Sequence, residues 1–218
     1  MNSSFVYLFF NLEGFSHKAI FDDVSFVWEV IPRLSAYLSQ LPLGKIETTI
    51  SPSVTLVHPE LISIGEGSRV DPNVYIEGPC VIGRHCHIRH GAYLRGHVLT
   101  GDHCVIGHAT EIKRSLLLNH VRAAHFNYVG DSILGNGANL GAGVKCANFR
   151  IVQGEIKVTV DGNTYKTGLK KLGAIIGDGV QIGCNSVTNP GTLIAKNVLC
   201  YPCINIKGFI PSSAVVKK

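Results

Sequence analysis

Arg95 and Lys113 stand 18 residues apart in a chain whose aliphatic residues return every six positions. Each follows its aliphatic residue by one, so a repeat of that period stacks the two cations on neighbouring strands of one face, about 5 Å apart at the backbone. Like charges so placed repel unless an anion bridges them, and the pair is a candidate phosphate site. The alternative is that Glu77, one coil before Arg95, pairs with it on the surface. His125, in Arg122-Ala-Ala-His-Phe-Asn-Tyr-Val-Gly130, is the candidate for proton transfer, because imidazole titrates near neutral pH. The same repeat puts His108 above it and Ala142 below. A lone histidine is more often structural or exposed, and that alternative stands beside the catalytic one.

Other residues suggest chemistry less directly. His85, His103 and His120 fall three positions after an inward residue, in one column at a turn where solvated polar groups are ordinary. The spacing of His85, His120 and His125 resembles the zinc-ligand pattern of γ-class carbonic anhydrases, in which imidazoles from adjoining subunits would hold a catalytic metal, and such a zinc enzyme is a further alternative; the rest of that family's active-site sequence is not recognised, and no metal is expected. Cys80, Cys86 and Cys104 fall at a corner position that favours small side chains, and Cys146 and Cys200 take inward positions. Cys200-Tyr-Pro-Cys203 has redox-motif spacing without a βαβ context, so a catalytic dithiol is not expected.

The element that must position these groups is the repeat itself. Ile64, Val70, Ile76, Ile82, Ile88 and Leu94 keep a period of six, which continues through Thr100, Ile106 and Ile112. One five-residue step leads to Leu117, Ala123 and Val129, a second to Leu134, Leu140 and Cys146, and the phase resumes from Ile176 to Ile206. Neither an amphipathic helix nor an alternating strand keeps this period. It implies an all-β fold, a triangular parallel β-helix with three short strands in each coil of about 18 residues. The domain expected over residues 60–211 is this β-helix, interrupted at 150–172 by a β-hairpin with a strand over Glu155–Val160 and a turn at Asp161–Asn163. Residues 1–59 form an N-terminal segment with a helix over Val24–Leu41, bent or interrupted at Pro32, and 212–218 form a tail. A net charge of +5 without basic runs suits phosphorylated small molecules and argues against nucleic acid. Seven cysteines without framework spacing point to a reduced, cytoplasmic setting. The Phe5–Phe10 run lacks a basic leader, so no signal peptide is expected, and no stretch approaches membrane-spanning length.

The repeat resembles the hexapeptide-repeat acyltransferases, which implies a left-handed coil and a homotrimer. Glu111-Ile-Lys-Arg-Ser115, Ala124-His-Phe-Asn-Tyr-Val-Gly-Asp131 and Asn139-Leu-Gly-Ala-Gly143 resemble the acetyltransferase half of the bifunctional glucosamine-1-phosphate acetyltransferase/N-acetylglucosamine-1-phosphate uridylyltransferases. Lys170-Lys-Leu-Gly-Ala-Ile-Ile-Gly-Asp178 and the helix around Trp28-Glu29-Val30 are similar to the archaeal sugar-1-phosphate nucleotidylyltransferase/acetyltransferases. The resemblance covers about residues 24–211. It implies acetyl-CoA as donor and an amino-sugar phosphate, glucosamine 1-phosphate first, as acceptor. His125 then corresponds to the general base, Arg95 and Lys113 to the phosphate-binding pair, and Tyr128 and Asn139 to residues that hold the sugar. Asn148 corresponds to an asparagine beside the reacting amine, Ala142 to a backbone contact with the acetyl carbonyl, and Lys157 to a lysine of the insertion. Lys166, Lys170 and Lys171 are expected to meet coenzyme A phosphates, with a solvated turn as the alternative. Phe149 departs from the tyrosine of the bacterial form, and Gly154 from a lysine of the archaeal insertion. No Gly-rich nucleotide-binding loop precedes the helix, so a separate uridylyltransferase is the expected partner. A non-catalytic β-helix that scaffolds a nucleotidyltransferase is the alternative from a different class.

Overall fold

A computed structural model describes residues 3–217. Three parallel eight-stranded sheets form the walls of a triangular prism, a left-handed β-helix. The chain visits a first face (Ile62–Ile64 and the strands stacked on it), a second (Arg69–Val70 onward) and a third (Thr55–Val57, Tyr75–Glu77 onward), then returns to the first. In-register neighbours on the third face are Ile76, Leu94, Ile112, Val129, Cys146, Thr188 and Ile206. All seven are at most 1% exposed, so the six-residue period is the interior column the sequence implies. Cys80, Cys86 and Cys104 are buried at corners, as expected of small packing groups.

The corners explain the residues between strands. His85, His103, His120, Asn185 and Asn197 all have φ between 53° and 62°, the left-handed conformation that histidine and asparagine tolerate better than most side chains. The five-residue steps fall at the third-to-first corner, where Arg114 and Asp131 take φ of 42° and 50° and turn the chain with one residue fewer. Gly107 marks the tightest approach between coils, since a Cβ there would stand 1.6 Å from the Ala124 carbonyl oxygen. A Gly107→Ala variant must therefore push apart the coils beneath His125. We expect a loss of at least about 2 kcal/mol, read as a lowered denaturation midpoint.

The outer side of the first face is not exposed. Val81, Leu99, Leu116, Ile133, Ile175 and Leu193 point outward there and are covered by a second core. The cover comes from α1 (Ser3–Phe9), α2 (Val30–Leu38) and the hairpin, whose Ile156, Val158 and Val160 are buried. Phe26 stacks on Trp28 with ring centroids 4.7 Å apart, and Tyr165 of the hairpin lies 5.0 Å from Phe26. The hairpin strands Lys157–Val160 and Asn163–Lys166 are joined at Asp161-Gly162, both with positive φ, as a two-residue turn requires.

Three boundaries differ from expectation. The helix expected over Val24–Leu41 is a short 3-10 turn, Val27–Glu29, followed by α2. Pro32 lies in the first turn of α2, where its missing N–H costs nothing, so it does not interrupt the helix. The prism also begins before residue 60, because Thr55–Val57 pairs with Tyr75–Glu77 and Ile46 bridges Ile64. At the other end Val215–Val216 pairs with Leu199–Cys200, so residues expected as a tail form the last strand. Terminal coils carry fewer aliphatic residues because one side of each has no coil to cover it. Among the described residues no helix is long and apolar enough to cross a membrane.

The covering layer carries a pH dependence. Burial lowers the pKa of His17, with Asp102 opposing; His17 lies 3.2 Å from the Tyr37 hydroxyl. Burial and the Arg114 charge lower that of His97, with Glu77 opposing. Both rings bind a proton more readily when unfolded, so stability rises with pH across their titration. Their contribution is complete above the ordinary histidine value of 6.5 and is lost progressively as pH falls below it. Urea midpoints should therefore decline from pH 7.5 to pH 5.5 (about one unit either side of that ordinary value). The decline should be shallower in a His97→Gln variant.

Candidate active site

On the third face the Arg95 and Lys113 strands are neighbours in register, Leu94 opposite Ile112. Gly130 is the next residue of that column, opposite Lys113. Arg95 pairs with Glu111 rather than Glu77: its Nη1 donates to Oε1 of Glu111 at 2.6 Å. Its guanidinium also lies 5.7 Å from the centre of the Tyr93 ring, on the same strand. Both partners of the ion pair keep about a third of their side-chain surface exposed, 39% for Arg95 and 33% for Glu111. An incoming anion would therefore replace Glu111 at a guanidinium that is accessible and already oriented.

His125 ends the strand Arg122–His125 of the second face and is in register with His108. Its backbone is fixed by Asn127, which is 2% exposed: the His125 N–H donates to Asn127 Oδ1 at 3.2 Å, and Asn127 Nδ2 donates to the Gly141 carbonyl at 2.8 Å. The ring itself is left exposed. Phe126 turns the chain with φ 53°, a rare conformation for a bulky residue, and sets its ring edge-on to His108 at 5.1 Å. Gly143 donates to the His125 carbonyl at 3.0 Å, which places Ala142 beside His125 one coil further on. Among the described residues the Ala142 carbonyl accepts from Asn185, whereas the Ala142 N–H makes no backbone hydrogen bond. His125, Asn139 and Ala142 share a groove of about 440 Å³ with Arg89 and Arg122, two cations that sequence reasoning missed. The one available signal for Arg122 was its position three residues before His125.

Tyr128 opens the next strand of the third face, on the far side of the corner from His125. Its hydroxyl and the Asn148 amide meet above Gly130, where a Cβ would lie 2.6 Å from the hydroxyl and 2.7 Å from Nδ2. Burial raises the Tyr128 pKa, helped by Glu111 and Asp131 and opposed by a hydrogen bond from Asn148 and by Arg95. The phenol therefore stays protonated and able to donate. Glu111, Arg114 and Asp131, all absent from the expected set, complete this group.

The lysines of the insertion lie elsewhere. Lys157 and Lys166 are opposite each other across the hairpin, both exposed, and Lys170 borders a recess with Phe149, Arg150 and Gly154. Lys171 is exposed and its backbone bridges Phe149. The insertion leaves the prism at the third-to-first corner, whereas His125 and Ala142 lie at the second-to-third corner. One chain therefore does not bring these lysines to the His125 groove. Nor do His85, His120 and His125 converge. His103 is stacked between His85 and His120 at 5.1 and 4.8 Å, along the opposite edge of the second face from His125. Cys200 is buried with its thiol pushed up to about 11, while Cys203 is exposed.

The chain is similar to several known proteins. Residues 77–170 match the model of the GMPPB C-terminal domain. The bifunctional protein GlmU of Methanococcus maripaludis strain S2 is 32% identical over 211 residues, 95% of this chain and 50% of that protein. The bifunctional sugar-1-phosphate nucleotidylyltransferase/acetyltransferase of Sulfurisphaera tokodaii is 39% identical over 92 residues, 42% of this chain and 23% of that protein. The chain thus spans half or less of the length of these two relatives. The UDP-N-acetylglucosamine acyltransferase LpxA of Bacteroides fragilis superposes with a TM-score of 0.57 at 19% identity, covering 78% of this chain and 71% of that one, a likeness of fold. The β-helix has the fold of the hexapeptide-repeat acyltransferases, and these relatives make the chain similar to the acetyltransferase half of the bifunctional sugar-1-phosphate enzymes.

Proposed function

We propose that the protein transfers an acetyl group from acetyl-CoA to the amine of an amino-sugar 1-phosphate, with glucosamine 1-phosphate as the preferred acceptor. The observation that carries this reading is the pairing of His125 with the uncommitted Ala142 N–H in neighbouring coils of one groove. His125 takes a proton from the acceptor's ammonium, freeing the nitrogen lone pair. The amine then attacks the thioester carbon, and the Ala142 N–H faces the oxygen on which negative charge develops. Collapse breaks the C–S bond, the protonated His125 gives its proton to the departing sulfur so that coenzyme A leaves as the thiol, and the second amine proton passes to water. Arg95 and Lys113 hold the 1-phosphate, while Tyr128, Asn139 and Asn148 orient the sugar.

Assembly as a homotrimer accounts for the remote lysines. A neighbouring copy would bring Lys157, Lys166, Lys170 and Lys171 toward the His125 groove, where they would meet sugar or coenzyme A phosphates. The product is an N-acetylated sugar 1-phosphate, which a uridylyltransferase reaction would consume. The test is thiol release from acetyl-CoA across a panel of amino-sugar phosphates. Release with glucosamine 1-phosphate at least about tenfold faster than with unphosphorylated glucosamine is expected, since one charge-assisted contact supplies that much. No release with any acceptor in the panel would overturn the reading.

A further inference from the structure

Asp131 is a fully buried carboxylate at the shortened third-to-first corner. A buried charge persists only where partners compensate its lost hydration. Here Oδ1 accepts from the Arg114 guanidinium and Oδ2 accepts from Nδ2 of Asn148. The surrounding backbone is held as closely. Asp131 donates its N–H to the Lys113 carbonyl at 3.0 Å and accepts from Gly173 at 2.8 Å, while Leu172 donates to the Asn148 carbonyl at 3.0 Å. Both ends of the insertion are thus tied to the coil that carries Lys113.

The geometry points to Asp131 as a positioning residue that fixes the donor and acceptor polarity of the sugar-binding face through Asn148. An ionised carboxylate only accepts hydrogen bonds, so the Asn148 group facing it must be the NH₂. The amide oxygen is consequently turned away from Asp131, available to accept an N–H from the acceptor amine. Asn148 Nδ2 also lies beside the Tyr128 hydroxyl above Gly130, and an amide donor there leaves the phenol proton free for substrate. Asp131 sets which atoms give and which receive without touching substrate. The backbone carbonyl of the same residue anchors the return of the insertion at Gly173, so the site's polarity and the hairpin's attachment meet at Asp131.

This inference rests on the acetyltransferase reading only for its kinetic test. In Asp131→Asn the carboxamide no longer dictates which end of Asn148 faces it. We expect kcat to fall about tenfold, with acceptor KM changed less than about twofold, because Asn148 orients the reacting amine rather than the phosphate. In an Asn148→Ala background the same substitution should add less than about twofold. An equal loss in both backgrounds, as a merely structural role would give, would overturn the proposal, and so would unchanged kinetics in the single variant. Side-chain amide exchange of Asn148 in the unmodified protein supplies a second readout that needs neither folding of the variant nor activity. It should be at least about tenfold slower than that of exposed Asn163; equal rates would refute the contact. If the unmodified protein released no thiol, the function would fail and amide exchange alone would decide the role of Asp131.

Discussion

His125→Ala is expected to lower kcat for acetyl transfer by about a hundred- to ten-thousand-fold, the range that a positioned general base contributes. The acceptor amine enters as ammonium, which has no lone pair for attack. Among the described residues lining the groove, His125 is the one histidine. Stability should be untouched, within about 0.5 kcal/mol, because the ring is exposed and the contacts that hold this corner belong to Asn127 and the backbone. The measurement is single-turnover thiol release alongside thermal unfolding. A His125→Ala enzyme with near-normal turnover would defeat the mechanism. His108→Ala is the matched control: it occupies the same column one coil away, yet lies outside the groove, and should retain at least about half of the activity.

The second large effect concerns the phosphate. Removing one charge-assisted contact costs about 1.5–3 kcal/mol, so Arg95→Ala and Lys113→Ala should each raise acceptor KM roughly ten- to hundredfold. The two will not be equal. Arg95→Ala leaves Glu111, its partner at 2.6 Å, as an uncompensated carboxylate facing an incoming dianion, and is expected to be the worse of the pair. Glu111→Gln introduced with Arg95→Ala should recover part of that loss. For an unphosphorylated amino sugar, neither single variant should change KM by more than about twofold. Measured KM values over a salt series check the assignment, since the penalty for Arg95→Ala must shrink as ionic strength rises.

How far the sequence reaches is clearest from individual residues. In a stacked parallel coil, sequence separation is spatial register, so the six-residue period alone placed Arg95 next to Lys113 and set His125 between His108 and Ala142. It also located the interior column and the two five-residue steps, whereas the hairpin was read from its alternating run, with the strand starting at Lys157 rather than Glu155 and the turn confined to Asp161-Gly162 because Asn163 pairs with Val160. Periodicity fixes backbone columns but carries no information on rotamers or on contacts between segments far apart in the chain. The choice of Glu111 over Glu77 as partner of Arg95 is such a rotamer decision, made where the Tyr93 ring and the diagonal neighbour on the next strand converge. The helix around Trp28 was visible as an apolar stripe. That it seals the first face together with the hairpin followed only from packing, because an aliphatic stripe does not name the surface that covers it. Asp131 shows the limit best. Its sequence position gave a shortened corner, but the burial of its carboxylate depends on Arg114 from one coil and Asn148 from another. A charge that needs compensating groups from two separate segments becomes stable only once the tertiary structure has brought them together.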